Sequence, residues 1–224
     1  GSALLGPLVL PESVFGRGGN ISPGDRITIG CIGVGPQGTG RMRDFLEHSD
    51  AQVVAIADVK TDRLQLVKNI VDSHYGNSDC VTYRNYSELI AREDIDAVLN
   101  ATPDHWHVLS ALDAVKASKD IYLEKPMGLS IEEDQLLRSA CQQYNRIFQF
   151  GTQQRSNRNF RFACELVRNG YIGELQIMNV WSPASSPGGP DTPAPIPGHL
   201  DYNSWLGPAA ETPYTEYKCS DRGD

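Results

Sequence analysis

The chain has 224 residues, of which 40% are hydrophobic and 21% charged, and its formal net charge is −8. These values are ordinary for a globular protein that buries a substantial core, in one large domain or two small ones. The negative charge and the lack of a basic run argue against a nucleic-acid partner, and no apolar stretch is long enough to cross a bilayer. Five scattered cysteines without a C-x-x-C pair indicate neither a zinc site nor a disulfide framework.

The N-terminal segment is apolar at residues 3–10 and rich in proline, glycine and serine up to residue 24. Such a pattern is typical of the end of an export signal, or of the first residues after one. The alternative is a short apolar arm that packs on the domain or on a partner. We therefore predict an N-terminal arm or signal remnant at residues 1–24 and a periplasmic or otherwise exported protein, with a cytoplasmic protein as the alternative.

Strands and helices alternate from residue 25 onward. Continuous apolar runs predict strands at residues 27–32, 53–57, 97–99, 121–123 and 147–150, with a short extra strand at 81–83. Continuous runs, as opposed to alternating ones, suit a parallel sheet that is covered on both faces. The order therefore predicts an α/β fold with a doubly wound (Rossmann) parallel sheet at residues 25–151.

The intervening helices are predicted from one-sided apolar spacing and from their ends. One helix is predicted at residues 38–47 and another at 86–91, and Ser130 with Glu133 forms a capping box. Spacing on the remaining helices predicts these buried positions: Leu66, Ile70, Val71, Val108, Leu112, Val115, Leu136, Leu137, Ala140 and Cys141.

A glycine-rich turn at residues 33–38, Gly-Val-Gly-Pro-Gln-Gly, joins the first strand to the first helix. The first glycine allows a sharp turn, the second lets a pyrophosphate approach the backbone, and the third lets the helix pack closely on the strand. The helix N-terminus then presents unpaired N–H groups to the phosphates, and proline fits the first helical position. A turn without a ligand is the alternative. The predicted cofactor-binding residues here are Gly33, Gly35, Pro36, Gln37, Gly38 and Asp58.

Asp58 lies twenty residues past Gly38, at the end of the second strand. A carboxylate there accepts both hydroxyls of the adenosine ribose and repels a 2′-phosphate, which favours NAD over NADP. The nearby cations Lys60 and Arg63 weaken this preference. The alternative is an aspartate that caps the next helix.

Polar and aromatic residues follow the strand at 97–99, where the carboxyl ends of parallel strands face the ligand crevice. Thr102, Pro103, Trp106 and His107 are predicted to contact the cofactor, although Trp106 could equally fill a gap in the packing. His105 and His107 do not predict a metal pair, because a helix start points them in different directions and no acidic or cysteine cluster supports them.

Two further strand ends carry candidate functional groups. Glu124 and Lys125 end the strand at 121–123, where a partly desolvated lysine can move a proton as a hydride leaves an alcohol carbon. Pro126 fixes the chain direction after it and allows a cis bond. Gln153 and Arg155 follow the strand at 147–150. A surface ion pair and a polar hinge are the respective alternatives.

The composition shifts after about residue 152. One more helix is predicted at residues 157–169, closed by Gly170, and a strand at 175–181. From Pro183 onward prolines and glycines dominate and no helical period is visible, and such long irregular segments are usually functional or disordered. Residues 152–224 are therefore predicted to begin a second domain that the sequence does not complete.

Taken together, these residues resemble the Gfo/Idh/MocA oxidoreductase family over residues 25–181, a family named for glucose–fructose oxidoreductase and inositol dehydrogenase. The resemblance rests on the glycine turn, on Thr102-Pro103 with His107, on residues 124–126 and on the turn at 170–173. Residues 200–208 look like the exported bacterial branch, which often carries a twin-arginine signal.

The resemblance implies an NAD-dependent oxidoreductase that acts on a sugar or polyol. It implies Lys125 as the catalytic lysine, His107 and Glu124 near the nicotinamide, and Gln153 near its ribose. His107 is a second catalytic candidate, and Lys125 and Arg155 are candidates for substrate contact. The second domain of the family is α+β, holds substrate residues and often makes the dimer, so it implies a homo-oligomer.

The family usually adds a histidine, often with an aspartate, from a helix of the second domain. The sequence ends before that segment, which predicts a truncated or proteolysed product or a short paralogue. Two alternatives follow from the resemblance. Some relatives use a tightly held NAD to oxidise a sugar transiently, eliminate its glycosidic substituent and reduce it again, and a non-catalytic nucleotide- or sugar-binding module is the third hypothesis.

Overall fold

The computed structural model of the chain describes residues 21–182, residue 189 and residues 191–219. Six strands form one parallel sheet: β1 (Ile27–Ile32), β2 (Ala51–Ala57), β3 (Val81–Tyr83), β4 (Ala97–Asn100), β5 (Asp120–Glu124) and β6 (Phe148–Gly151). Their spatial order is β3-β2-β1-β4-β5-β6, with every pair parallel. The chain runs outward from β1 in one direction and then in the other. The carboxyl end of β1 is therefore the switch point at which ligands bind in such sheets.

The described helices are α1 (Pro36–Leu46), α2 (Thr61–Tyr75), α3 (Tyr86–Ile90), α4 (His107–Lys116), α5 (Ile131–Gln143), α6 (Arg158–Arg168) and α7 (Tyr202–Leu206). Helices α1 and α2 pack on one face of the sheet in one buried cluster, and α3, α4 and α5 pack on the other in a second cluster. Because both faces are covered, the strands are buried runs, and the predicted doubly wound α/β fold is confirmed.

Two predicted helix faces are right except for one leucine in each. Leu66 and Leu136 are 49% and 56% exposed, whereas Val71 and Leu137 are buried as predicted. Adjacent apolar residues on a helix leave the direction of its buried stripe ambiguous, and packing on the sheet decides between them. Ser130 caps α5 as predicted, since its hydroxyl accepts a hydrogen bond from the Glu133 backbone N–H.

The strand predicted at residues 175–181 does not form, and this prediction is wrong. The apolar side chains of this segment are exposed, with Val180 and Trp181 at 84% and 83%. A strand needs a neighbour to accept its hydrogen bonds. No neighbouring strand is present among the described residues. Helix α6 satisfies its own hydrogen bonds and forms as predicted, with Asn157 as its N-cap.

Residues 191–219, which we call the cap segment, return to the carboxyl edge of the sheet. No helix is predicted after Pro183. This prediction is wrong at α7, which forms with Asp201 as its N-cap. The cap segment buries a small apolar cluster of its own, made by Leu200, Tyr202, Leu206, Tyr214 and Cys219, against Val59.

Three expectations are not tested by this fold. The N-terminal segment at residues 3–10 lies outside the described residues, as do residues 183–188 of the irregular stretch. The domain boundary at residues 151 and 152 stays a prediction. No helix in the described part of the chain has the length and apolar character that crossing a membrane requires.

Candidate functional site

The glycine turn is held so tightly that two of its glycines tolerate no side chain. Gly33 has φ +76°, and a Cβ there would lie 2.6 Å from the carbonyl oxygen of Ala101. A Cβ on Gly38 would lie 2.0 Å from the carbonyl oxygen of Gly33, so α1 rests directly on the turn. The backbone N–H of Gly33 donates to the carbonyl of Ala57 at 2.9 Å, which fixes the turn beside β2.

Gly35 is different, because a Cβ at this position would meet no atom within 4 Å. It is the N-cap of α1, Pro36 is the first helical residue, and the side chain of Gln37 is exposed. The first N–H groups of a helix have no partner within it. An open backbone at a helix N-terminus fits the diphosphate of a dinucleotide.

Asp58 lies beside this turn, as predicted. One carboxylate oxygen accepts the backbone N–H of Val34 at 2.8 Å, and the other accepts the backbone N–H of Lys60 at 2.9 Å. The carboxylate is thereby oriented across the turn. The N-cap of α2 is Lys60, whose side chain makes no capping bond, and Asp58 bonds the backbone N–H of that residue, so the alternative role of Asp58 as a helix cap stays open.

His107 connects the turn after β4 to the turn after β5. Its ring is 1% exposed; Nε2 lies 2.8 Å from the carbonyl oxygen of Thr102, and Nδ1 lies 2.5 Å from that of Pro126. A neutral imidazole donates to only one of these oxygens, whereas an imidazolium donates to both. In either form of the ring, both nitrogens of His107 face backbone carbonyl oxygens.

The neighbouring residues of this turn divide into two groups. The hydroxyl of Thr102 donates to the side-chain oxygen of Asn100, which orders the start of the turn with Pro103 following. His105 and Trp106 instead point toward the cap segment. Trp106 packs edge-on against Tyr86. This contact agrees with the interpretation that Trp106 fills a gap in the packing.

Glu124 and Lys125 end β5 at the same edge of the sheet. The Glu124 carboxylate is buried, and one oxygen accepts the Lys125 backbone N–H at 3.3 Å. Its other oxygen lies 4.0 Å from Nε of Arg41, and neither atom has a hydrogen-bond partner among the described residues. The Lys125–Pro126 peptide bond is cis. The Lys125 side chain is exposed at the crevice.

Gln153 lies where α1 faces the end of β6. It lines a cavity of about 350 Å³ together with Arg41, Gln154, Ser156 and Asn157. Arg155 is exposed on the same short helical turn but does not line this cavity. The edge that carries Glu124 therefore continues into a polar recess.

Metal binding and thiol chemistry are the other possibilities for reactive side chains in the part of the chain that the structure describes. No cluster of histidine, cysteine and acidic side chains in the described ranges could hold a metal ion. Burial raises the pKa of the Cys31 thiol, and burial next to Asp72 raises that of Cys80 to about 11, so both thiols stay protonated at neutral pH.

Two features of the site were missed by the sequence analysis. Arg41 lies three residues after Gly38, one helical turn further along the same face of α1, and helical spacing alone could have placed it near the crevice. The cap segment could have been found from Asp201, a strong N-cap residue, followed by apolar residues at helical spacing.

Comparison with known proteins agrees with this geometry. A family model described as the Gfo/Idh/MocA oxidoreductase family with an NAD-binding Rossmann fold matches residues 27–152, more than half of the chain. The chain is 30% identical over 174 residues to a myo-inositol 2-dehydrogenase of Thermotoga maritima, covering 78% of this chain and 47% of that protein.

Two further similarities bear on function. A glycosyl hydrolase family 109 protein of Shewanella amazonensis is 32% identical over 153 residues, which cover 66% of this chain and 33% of that protein. A Lactobacillus casei scyllo-inositol dehydrogenase, solved with NAD(H) and scyllo-inositol, matches with a TM-score of 0.59 and 27% identity. That match covers 66% of this chain and 43% of the solved chain.

The chain spans between a third and a half of the length of the curated relatives named here. The matched residues contain the glycine turn, Asp58, His107 and Lys125. These residues follow β1, β2, β4 and β5, whose carboxyl ends form one edge of the sheet. The chain belongs to the Gfo/Idh/MocA oxidoreductase family and carries its NAD-binding Rossmann fold.

Proposed function

We propose that the protein is an NAD-dependent oxidoreductase that transfers a hydride to or from a sugar, a polyol or a related carbohydrate. The observation that carries the proposal is the open backbone of Gly35 at the N-terminus of α1, with Asp58 on one side and Lys125 at the same edge. The inositol dehydrogenases among the similar proteins support a polyol as the substrate.

The residues of the glycine turn and Asp58 would hold the cofactor. Backbone N–H groups of Gly35, Gln37 and Gly38 would bind the diphosphate, since Pro36 has no N–H to donate, and the carboxylate would accept the hydroxyls of the adenosine ribose. Thr102, Pro103, Trp106, Glu124 and Gln153 would line the rest of the groove. When bound, NAD supplies a nicotinamide ring that accepts a hydride or returns it.

Lys125 would hold or move the proton of the substrate hydroxyl. Its ammonium group is exposed at the crevice, while the buried Glu124 next to it fixes the backbone from which it projects. The catalytic role of His107 stays a prediction. The two backbone contacts of its ring support a positioning role, in which it ties Pro126, and thereby Lys125, to the turn after β4.

Cofactor binding is tested with two glycine variants of the same helix. Gly35→Ala leaves the protein itself without a clash but places a methyl group where the diphosphate would approach, so NADH affinity should fall at least about tenfold. Gly40→Ala is the control, because its Cβ also meets no atom within 4 Å but lies beyond the turn. Fluorescence titration with NADH measures both. Equal affinities of the two variants would contradict the proposed site.

Turnover is tested with Lys125→Met, with a panel of inositols and other polyols as substrates. Loss of the proton-transferring group should lower kcat by a factor of about 10²–10⁴ while NADH still binds. Lys116→Met, at an exposed position at the end of α4, is the control and should leave kcat unchanged. A Lys125→Met enzyme with full activity would exclude the assigned role.

Glycoside cleavage with a tightly held NAD is the second candidate, favoured by the similarity to a glycosyl hydrolase family 109 protein. Release of nitrophenol from a nitrophenyl glycoside without net NADH formation would distinguish it from net oxidation. A folded protein that binds sugar and never turns over would instead be a non-catalytic binding module.

Two further expectations remain part of the proposal: oligomerisation through a second domain, and export. Residues 152–224 would begin a domain for substrate binding and oligomerisation, in keeping with the exposed apolar side chains of α6 and of the segment after it. The protein would be exported, in keeping with the apolar residues 3–10. Sedimentation of the purified protein and fractionation of the producing cell test these points, and a monomer retained in the cytoplasm would contradict both.

A further inference from the structure

The cap segment lies outside the residues that the family model matches, yet it is bonded to the turn that follows β2. Leu200 and Lys60 form an antiparallel bridge, and the backbone N–H of Asp201 donates to the carbonyl of Val59 at 3.0 Å. This turn begins with Asp58, the residue proposed to bind the adenosine ribose. The cap segment is therefore anchored within two residues of the ribose-binding carboxylate.

A second anchor joins the cap segment to the turn that follows β4. The indole N–H of Trp106 lies 3.0 Å from the carbonyl of Ser204 and 3.1 Å from that of Trp205. Nε2 of His105 lies 2.8 Å from the same Trp205 carbonyl, and the rings of His105 and Trp205 meet edge to face. Strands β2 and β4 flank β1, so the cap segment spans both walls of the crevice at the end of β1.

The adenosine half of a dinucleotide lies on the β2 side of this crevice, where the carboxylate after β2 binds its ribose. A segment that spans the turns after β2 and β4 closes that half from outside. The apolar cluster of Leu200, Tyr202 and Leu206 keeps the segment packed as a unit. The cap segment therefore lies beside the position that the adenosine of a bound dinucleotide would take.

Lys60 connects the cap segment to the choice of cofactor. Its ammonium group donates to the carbonyl of Cys219 in the cap segment at 2.6 Å. A lysine two residues past Asp58 is otherwise a natural partner for a 2′-phosphate, because a cation offsets the repulsion by the carboxylate. We propose that the cap segment is a cofactor-specificity element, which closes the adenosine pocket and engages Lys60 so that NAD is preferred over NADP. This inference rests on the proposed function.

Gly207→Ala tests the inference by loosening the second anchor. Gly207 has φ +47°, and a Cβ there would lie 2.0 Å from the ring of Trp106, so alanine separates the Trp106 ring from the cap segment and breaks the bonds between them. Gly198→Ala is the matched control in the same segment, because its Cβ meets no atom within 4 Å. The measurement is the ratio of the dissociation constants of NADPH and NADH. It should fall about tenfold in Gly207→Ala and stay unchanged in Gly198→Ala.

Tyr202→Phe is the second loosening variant and introduces no clash. The Tyr202 hydroxyl lies 3.0 Å from the carbonyl oxygen of Thr212 and 3.1 Å from that of Pro213 and donates its one hydrogen between them, so its removal weakens the cap segment from within. The ratio should fall in the same direction but by less. This variant keeps the test decisive if the Gly207 variant fails to fold.

Lys60→Met identifies the group responsible. In the Gly207→Ala background, removal of the Lys60 ammonium group should restore the preference for NADH. In the wild type, the same substitution should change the ratio of the NADPH and NADH dissociation constants little. An unchanged ratio in both loosened variants, with NADH still bound, would overturn the inference alone. Failure of the wild type itself to bind NADH would overturn the proposed function as well.

Discussion

Two segments that follow the last strand of the sheet behave in opposite ways. The cap segment is rich in proline and glycine and has little regular structure, yet it buries Leu200, Tyr202 and Leu206. Residues 158–182 contain a well-formed helix and a long apolar run, yet Phe162, Trp181 and their neighbours are exposed.

The difference shows that the presence of a bonding partner determines whether a segment packs, more than its amino-acid composition does. The cap segment finds carbonyl and N–H groups on two turns of the sheet domain, and each contact satisfies a backbone group. The run at 175–181 has the stronger strand composition but no partner strand in the described part of the chain. Propensity without a partner strand is not enough to form a strand.

The largest test compares one leucine in the sheet with one in the exposed segment. Leu123→Ala removes a completely buried side chain from β5 and should lower the free energy of unfolding by about 2–5 kcal/mol. Leu175→Ala, at a position that is 49% exposed, should change it by at most about 0.5 kcal/mol. Urea denaturation measures both. A large effect at Leu175 would show that residues 158–182 have a partner.

A smaller effect is expected for one tyrosine in each segment. Tyr202→Phe removes the hydroxyl that is bonded at 3.0 Å to the Thr212 carbonyl and should cost about 1 kcal/mol, confined to the cap segment. Tyr171→Phe, where the side chain is 77% exposed, should have no effect. Hydrogen exchange of the cap segment reports the change. Equal exchange in both variants would contradict the packing described for Tyr202.

The smallest effect concerns the two N-caps, Asp201 of α7 and Asn157 of α6. Hydrogen bonds from the Ser204 backbone and hydroxyl hold the pKa of the Asp201 carboxyl below its ordinary value of 3.8. A lowered pKa contributes stability that is complete above the ordinary value and is lost as the pH falls through the folded one. Exchange protection of α7 should therefore drop in acid by an amount equivalent to at most about 1 kcal/mol.

The neutral cap provides the control for that measurement. Asn157 does not titrate, so α6 has no such contribution from its N-cap. Asp201→Asn should remove the acid-sensitive part at α7 while keeping a side-chain acceptor for the Ser204 N–H. If the Asn variant keeps the same pH dependence, the source lies elsewhere in the cap segment.

The sheet domain was predictable because its signals are local and agree with one another. Strands at 27–32 and 81–83 have the observed bounds, and the others differ by one or two residues at their ends. The glycine turn was predictable because Gly33 and Gly38 meet backbone constraints that only glycine satisfies. Leu66 and Leu136 were misplaced because adjacent apolar residues leave the helix face undecided until it packs.

The cap segment and the contact of Arg41 with Glu124 were not predictable in the same way. Each depends on residues that are distant in sequence and that carry no pattern linking them before the fold forms. From the sequence, Trp106 is expected either to contact the cofactor or to fill a gap in the packing. The bonds to Ser204 and Trp205 show a third environment that only the return of the chain creates.

The bond between Lys60 and Cys219 joins residues that are 159 positions apart in sequence. The entropic cost of closing a flexible loop rises by only about 0.6 kcal/mol for each doubling of its length. The connection between β6 and the cap segment can therefore change in length with little loss of docking free energy. Because its contacts are the most distant in sequence, the cap segment should join the sheet late in folding and be among the first parts to open.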